Sequence, residues 1–366
     1  MPLYMDRHDI PDDIKAEHVA LMHQEDLKVQ HLYGCKGMTY WCDSERHTAF
    51  CLIEAPNKEA LQQMHNHAHG AMPHQIIEVD AQLVESFLGR IEDPVKAENE
   101  ILNIIDEPAF RIIMVLETNN YLNRLDANQL GIFNQKFHKS VLKCMKKHDG
   151  SIAKRDNCTY LASFKSVTNA VMCALKIQSN LKYVTPKFDP NIRRLNIGLS
   201  AGTPVTDKEG IFSDVISIAT CMCEVVKDPL VISHLVKTLY ENENHNTRID
   251  SQLIRTLNPQ EEDFLAQLMA FTEKAFNQPN FNLNVLSTEL GLSKSQLYRK
   301  LTHLTGISPN QFIREFRLKR ALRLLHDQFG NISEIAFETG LNSPAYFSKC
   351  FLDKFVILPS RYMQLY

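Results

Sequence analysis

The sequence predicts a multidomain chain: two successive α+β units, then an all-helical end that carries a double helix-turn-helix. Three observations predict it. At 366 residues the chain is too long for one ordinary core. Strand-like and helical periodicities alternate as far as about residue 240, and after about Asp263 only helical spacing remains. Two stretches near the end, 49 residues apart, repeat one order of helix, glycine, three-residue turn and helix.

Composition narrows the class. The chain is 44% hydrophobic and 23% charged, as globular domains are. No window approaches the length of apolar sequence that spans a bilayer, so no membrane partner is expected. MPLYMDRHDI has neither a basic n-region nor an apolar core, and no secretion signal is expected. The 9 cysteines include no C-x-x-C pair. Cys221 and Cys223 form the one close couple, in apolar surroundings that fit packing or a weak soft-metal site. Free thiols in a reduced, cytoplasmic protein are the simpler expectation. The net charge of −3 hides an asymmetry. Residues 271–366 hold 12 Lys+Arg against 7 Asp+Glu, a local +5 that leaves −8 for the rest. A basic module on an acidic body is the electrostatic footprint of a nucleic-acid binder.

The first segment, 1–79, reads βαββαβ. Strand-like LYMDRH, GMTYWCD, HTAFCLIE and QIIEV alternate with helical Ala16–Tyr33 and Lys58–Gly70, and Ser44-Glu45-Arg46 closes the central hairpin. Nine of the 15 histidines lie within its first 74 residues. His23 shares a helix face with Val19 and Leu27, so it points inward. His65 and His69, four apart on one helix, are close enough to share a borderline metal through imidazole, while His67 points away. His8 ends the first strand. His8, His23, His65 and His69 are the candidate ligands, with Asp6 and Cys51 as additional ones; hydrogen-bonded core or surface histidines are the alternative. Residues 80–108, with Pro94 and Pro108, are expected to be a helix-rich connector.

The segment 109–240 is also α+β. RIIMVLE fits a buried strand. Helix Leu130–Lys147, the turn His148-Asp149-Gly150, a hairpin ending LASF, a helix from about Asn169 to Leu181 and the strand LNIGLSAG follow. Polar, Asn-rich ENENHNTRIDSQ marks a linker at 241–262. In the last segment, 263–366, VLSTEL ends at Gly291, where a left-handed backbone is free of strain. Ser293 caps the next helix, with Gln296 completing a capping box. Leu297, Leu301 and Leu304 share one face; Ser295, Arg299 and Thr302 share the opposite one, flanked by Lys294 and Tyr298. In the second copy Asn331 and Glu334 cap the first helix, Gly340 ends it, and Ser343 with Pro344 opens the next. There Phe347 and Phe351 face inward, and Ala345 and Lys349 outward. The helix between, Gln311–His326, carries Arg314, Arg317, Lys319, Arg320 and Arg323.

These residues carry three resemblances. GLSKSQLYRKLTHLTGISPNQFIREFRLKRAL and G-x-x-S-x-x-Y-F-x-K-x-F from Gly340 to Phe351 resemble the DNA-binding domain of the AraC/XylS regulators over 263–366. The resemblance implies base-reading by Ser295, Tyr298 and Arg299, with Lys294 beside them, and by Pro344, Ala345, Tyr346 and Lys349. It departs at Leu352, Val356 and Leu358, where the family has a basic residue, Gly and a small polar residue. Val356 suits a left-handed position poorly, so the last turn is expected to be built differently. Leu352 shares the face of Ala345 and Lys349, so the second unit either touches DNA weakly or offers Leu352 to a protein partner.

HDGSIAK, LASF, NAVMCALKIQSNL, LNIGLSAGTPV and FSDVISIA resemble the class III adenylate/guanylate cyclase catalytic domain. That chemistry needs two carboxylates on a metal pair and donors for the charge developing at phosphate. Aligned through LASF, the carboxylate places fall at Met114 or Val115 and at Cys158, and the donor places at Ser217 and Cys221. Glu117 is the nearest acid; Asp156 serves only if two residues are inserted after it. The expectation is a cyclase-like unit without cyclase activity, serving as a dimerisation scaffold or as a sensor for a nucleotide or other small molecule. MPLYMDRHDIP, H-x-x-D-L-x-x-Q-x-x-Y-G (His23 to Gly34), TYW, AFCLIEAP and HNHAHG resemble a ferredoxin-like family with nickel-binding members. That likeness implies a divalent metal such as nickel. Taken together, the expected function is a transcription regulator: a sensing front, a cyclase-like middle and a DNA-binding end. Its expected partners are double-stranded DNA, a second copy of the chain and RNA polymerase. The rivals are a nucleotide cyclase with an appended DNA-binding domain, and a nickel-binding protein.

Overall fold

The alternating start of the chain folds as β1 (Leu3–Asp9), α1 (Ala16–Val29) with one 3-10 turn after it, β2 (Lys36–Asp43), β3 (Thr48–Glu54), α2 (Lys58–Ala68) and β4 (Gln75–Val79). The computed structural model describes residues 1–95, 102–118, 127–156, 159–184, 195–245 and 247–364. The strands form one antiparallel sheet in the order β2-β3-β1-β4. This is the ferredoxin-like arrangement expected. Its two faces are both buried, which explains why β3 is apolar along nearly its whole length. On one face Tyr4, Tyr40 and Ile53 pack beneath α1 and α2 through Val19, Leu61 and Met64. On the other, Met5, Trp41, Phe50 and Leu52 meet the next unit.

The connector is part of that junction. Asp80 caps α3 (Ala81–Leu88), whose Val84, Phe87 and Leu88 fill the space between the N-terminal sheet and Ile113 and Phe212 of the middle unit. The last carbonyls of a helix lack intrahelical partners. Here the buried Arg111 guanidinium donates to the Phe87 and Leu88 carbonyls at 2.9 and 3.2 Å. Residues 96–101 of the connector lie outside the described residues.

The middle unit comprises β5 (Arg111–Thr118), α4 (Ala127–Lys147), β6 (Ser151–Arg155), β7 (Thr159–Phe164), α5 (Val167–Val184), β8 (Leu195–Gly202), α6 (Ser213–Val225), β9 (Leu230–Ile232), α7 (His234–Glu243) and β10 (Arg255–Thr256). Its sheet runs β10-β9-β8-β5-β7-β6, with β5 antiparallel to both neighbours and β8, β9 and β10 mutually parallel. Helices α4, α5 and α7 cover one face, and α6 lies on the other. The stretch 241–262 is more than a linker. Its short apolar frame, Ile254 and Leu257, is buried and places β10 at the sheet edge, so the sheet continues past residue 240.

The C-terminal unit is helical: α8 (Pro259–Ala275), α9 (Leu283–Glu289), α10 (Lys294–Thr305), α11 (Pro309–His326), α12 (Ile332–Glu338), α13 (Pro344–Phe355) and α14 (Pro359–Met363). Helix α11 is the spine. Its Phe312, Ile313 and Phe316 pack with α8, α9 and α10, and its Leu318, Ala321 and Leu325 pack with α12, α13 and α14. Each predicted cap forms. Ser293 and Gln296 make a reciprocal box, as do Asn331 and Glu334, and Ser343 Oγ accepts the Tyr346 N–H. Gly291 and Gly340 are both left-handed, at φ +61° and +75°.

One expectation fails at the last turn. Val356 adopts the left-handed conformation, φ 58° and ψ 22°, and its N–H donates to the Leu352 carbonyl at 2.7 Å. The turn keeps its shape because Pro359 and Tyr362 of α14 are buried against the unit, so a valine is held where glycine would be free of strain. Val356→Gly is therefore expected to stabilise this unit by about 1 kcal/mol, the scale of the left-handed penalty. Urea unfolding followed by circular dichroism checks it; an unchanged or lower midpoint would count against strain here.

Candidate DNA-binding surface and metal centre

The two recognition helices present the predicted side chains. On α10, Lys294, Ser295, Tyr298 and Arg299 are exposed, while Leu297, Leu301 and Leu304 are buried. On α13, Ala345, Tyr346 and Lys349 are exposed and Pro344 is half-buried, with Phe347 and Phe351 beneath. The cations of α11 go elsewhere. Arg317 donates to the Phe276 and Gln278 carbonyls, and Lys319 donates to the Glu224 carbonyl at 2.9 Å. Arg323 pairs with Glu224 at 2.9 Å, and Arg320 pairs with Glu224 and Glu273. Those four hold the helical unit together and fix it to α6. Arg314 alone among the five is exposed without an ion pair or hydrogen bond among the described residues.

In the N-terminal unit, β1 turns Tyr4, Asp6 and His8 toward the helices. Two ligand groups arise there. Asp6, His8 and Cys51 form one and Asp26, His65 and His69 the other, the donor atoms of each lying within 4.8 Å of one another. His65 joins them: Nε2 is 2.8 Å from Asp6 Oδ2 and Nδ1 is 3.0 Å from Asp26 Oδ1. With a carboxylate at each nitrogen, both nitrogens donate. Burial works against the charge, but Asp6 beside it and the Asp26 hydrogen bond push the His65 pKa up to about 10. Asp6 and Asp26 are held below the usual carboxylate range in spite of burial, Asp6 by the charges of His8 and His65, Asp26 by hydrogen bonds from His65 and His69. Burial and the Asp6 charge drive the Cys51 thiol well above its ordinary value.

The two groups differ in readiness for a metal. His69 Nδ1 accepts the Ala71 N–H, and its Nε2 lies 3.2 Å from Asp26, so that group is closed by its own hydrogen bonds. His8 Nε2 is buried, makes no well-formed hydrogen bond and lies 3.4 Å from Asp6 Oδ1. A nitrogen, an oxygen and a sulfur gathered within 4.8 Å suit a borderline divalent ion, so Asp6, His8 and Cys51 fit one. His23 joins neither group. It is buried, as expected, but its Nε2 lies 3.2 Å from Asp93 of the connector, which draws the ring to the junction with the next unit. Asp26 was not among the candidates. Its signal was present, since it falls three residues after His23 on the same inward helix face and is buried.

In the middle unit, Met114 faces the α4–α5 core, and Val115 is buried against Ala219 and Cys223 of α6. Glu117 lies 4.0 Å from Lys319 of α11. Ser217 is exposed, and Cys221 is buried among the residues that seat α8. Asp156 is exposed in the β6–β7 turn; Cys158 lies outside the described residues. The other 8 cysteines are buried free thiols.

Residues 286–364 match the family model described as a helix-turn-helix domain. That match falls on both capped units and both recognition helices. The C-terminal unit is an AraC-type helix-turn-helix domain. Residues 4–79 match the model of the nickel responsive protein SCO4226-like family, the segment that contains both ligand groups. The chain is 37% identical over 131 residues to histidine kinase P4 of Formosa agariphila, covering 36% of this chain and 9% of that protein. It is 31% identical over 91 residues to the HTH-type transcriptional activator RhaS of Salmonella schwarzengrund, covering 25% of this chain and 32% of that one. The chain thus spans a third or less of the length of these relatives. A solved bacterial light-regulated adenylyl cyclase aligns with 65% of this chain and 86% of its own, at 13% identity and a TM-score of 0.31. No helix among the described residues is long and apolar enough to cross a membrane.

Proposed function

We propose that this protein is a sequence-specific, DNA-binding transcription regulator with a metal-responsive front. The observation that carries the reading is the pair of recognition helices in the AraC-type domain, each capped, seated on its own core and exposing all its predicted contact residues but the half-buried Pro344. Two such helices on one spine suit two successive major-groove faces about 34 Å apart. The partner is double-stranded DNA, bound by a homodimer in the cytoplasm that engages RNA polymerase. The units are 1–79, 109–240 extended by β10, and the helical end, with 80–108 as a packed junction.

A divalent ion, nickel on the family likeness, is held by Asp6, His8 and Cys51, with His65 positioning Asp6 from behind. When bound, it supplies a charge that replaces protons in this buried chain of acids and imidazoles. The middle unit is a scaffold without cyclase chemistry. This reading is supported by Met114, Val115 and Cys221, buried in packing clusters at places that the cyclase resemblance gives to a carboxylate and a donor, while the nearby acid, Glu117, faces Lys319.

The test is binding to a fluorescent duplex from the gene's own upstream region, at fixed salt, with and without Ni²⁺. Preference over random DNA, altered by nickel, supports the whole reading; no preference there or in a genome-wide selection overturns it. In the same assay Arg299→Ala is expected to weaken specific binding by about 1–3 kcal/mol and relax one base position. An equal loss on every sequence would reduce Arg299 to a phosphate contact. Cyclic product from ATP or GTP with Mn²⁺ or Mg²⁺, above a boiled control, would restore the enzyme reading.

A further inference from the structure

Helices α10 and α13 permit comparison position by position. Each has 12 residues, each follows a serine whose side chain caps the third helical N–H, and each buries its fourth and eighth residues. The outward faces are therefore in register. At the second position α10 has Ser295 and α13 has Ala345. At the sixth, Arg299 is matched by Lys349. At the ninth, Thr302, whose hydroxyl donates to the Ile307 carbonyl, is matched by Leu352, which is 40% exposed. The first face thus offers an exposed hydroxyl, shared with the Ser293 cap at 3.2 Å, and a guanidinium fork. The second offers a methyl group, an ammonium and an isobutyl group, with Tyr346 beside them, 48% exposed.

Leu352 lies in line with Ala345 and Lys349, so that face offers apolar groups to whatever it meets. In the major groove one base supplies an apolar counterpart: thymine carries a C5-methyl group, whereas guanine offers two acceptors that match an arginine fork. We propose that the two units read chemically different half-sites. Helix α10 reads a hydrogen-bonding half-site through Arg299 on guanine. Helix α13 reads a thymine-rich half-site through methyl contacts of Ala345 and Leu352, and Lys349 supplies the charge on phosphate. The inference rests on the DNA-binding reading above and goes beyond it by assigning base chemistry to each half.

The experiment uses the full chain and wild-type protein first. Sites are selected from a random duplex pool, and the Arg299→Ala variant identifies the half read by α10. Thymines of the other half are then replaced with deoxyuridine, which removes only the methyl group. The expected loss is about fourfold per contacted methyl, the change that burying one such group carries. The same replacement in the α10 half leaves affinity unchanged. Leu352→Ala, at an exposed position, is expected to bind the thymine and uracil duplexes with more nearly equal affinity. Equal affinity of the wild type for both duplexes overturns the inference while the regulator reading stands. So does a Leu352→Ala variant that binds DNA normally but fails to activate transcription, which would assign the leucine to a protein partner. If no site is enriched, the DNA-binding reading fails first and the inference goes with it.

Discussion

Replacing His65 with alanine is expected to destabilise the N-terminal unit by about 3–5 kcal/mol, the cost of leaving a buried charge without its partner. The side chain is fully buried and links two carboxylates that are themselves buried, Asp6 on β1 and Asp26 on α1. Removing the imidazole takes the shared positive charge from both acids. Asp6 keeps its bond from the Cys51 N–H and the neighbouring His8, and Asp26 keeps His69, so the loss stops short of two orphaned ions. The chain's single tryptophan, Trp41, is buried on the opposite face of the same sheet, so its fluorescence reports unfolding of this unit directly. Adding Asp6→Asn and Asp26→Asn to His65→Ala is expected to recover part of the loss, because the charges that created the penalty are gone. A loss under about 1 kcal/mol for the single variant would mean that water or a rearranged acid replaces the imidazole, and that the chain of charges is not closed.

The features legible in the sequence are those set by neighbours along the chain. Strand alternation gave the βαββαβ order, and Ser293, Ser343 and Asn331 announced their helices because a cap acts within three residues. The left-handed glycines at the two turns belong to the same class. What stayed hidden depends on residues distant in sequence. His65 and His69 were visible as a helical pair, but Asp26 acquires its meaning only when α1 is laid across α2. In the sequence the cations of α11 are a row of charges without partners, and Glu224 and two loop carbonyls from elsewhere in the chain claim four of the five. His23 was correctly placed inside, yet its partner is an aspartate 70 residues away. Val356 shows the limit in the other direction. A local rule argued against its conformation, and the packing of α14 imposes that conformation anyway.

Gly198→Ala is the second large effect expected. A methyl group on Gly198 of β8 would sit 2.2 Å from the Ala219 carbonyl oxygen and 3.0 Å from Met222 Cβ, both on α6. The obstacle at 2.2 Å is helix backbone, which has no rotamer to move out of the way, so α6 must lift from the sheet. The expected cost exceeds about 3 kcal/mol, beyond the usual range for an extra methyl in a filled core. The consequence should not stay local, because α6 belongs to three cores at once. Val215, in its first turn, packs with Trp41 and Phe50 of the N-terminal sheet. Its Ala219 and Cys223 close over β5. Its last turns, Cys221 and Met222, join Leu265 and Leu301 of the AraC-type domain, and Glu224 holds Arg320 and Arg323. A displaced α6 therefore loosens the N-terminal unit and the helix-turn-helix end together. Trp41 fluorescence and affinity for a selected duplex are expected to change in the same variant, although Gly198 touches neither site. A variant with an unchanged melting temperature would show that α6 sits less tightly on β8 than the 2.2 Å approach of an added methyl implies. A melt lowered in one unit alone would show that the three cores unfold independently, and α6 could then not carry a signal between them.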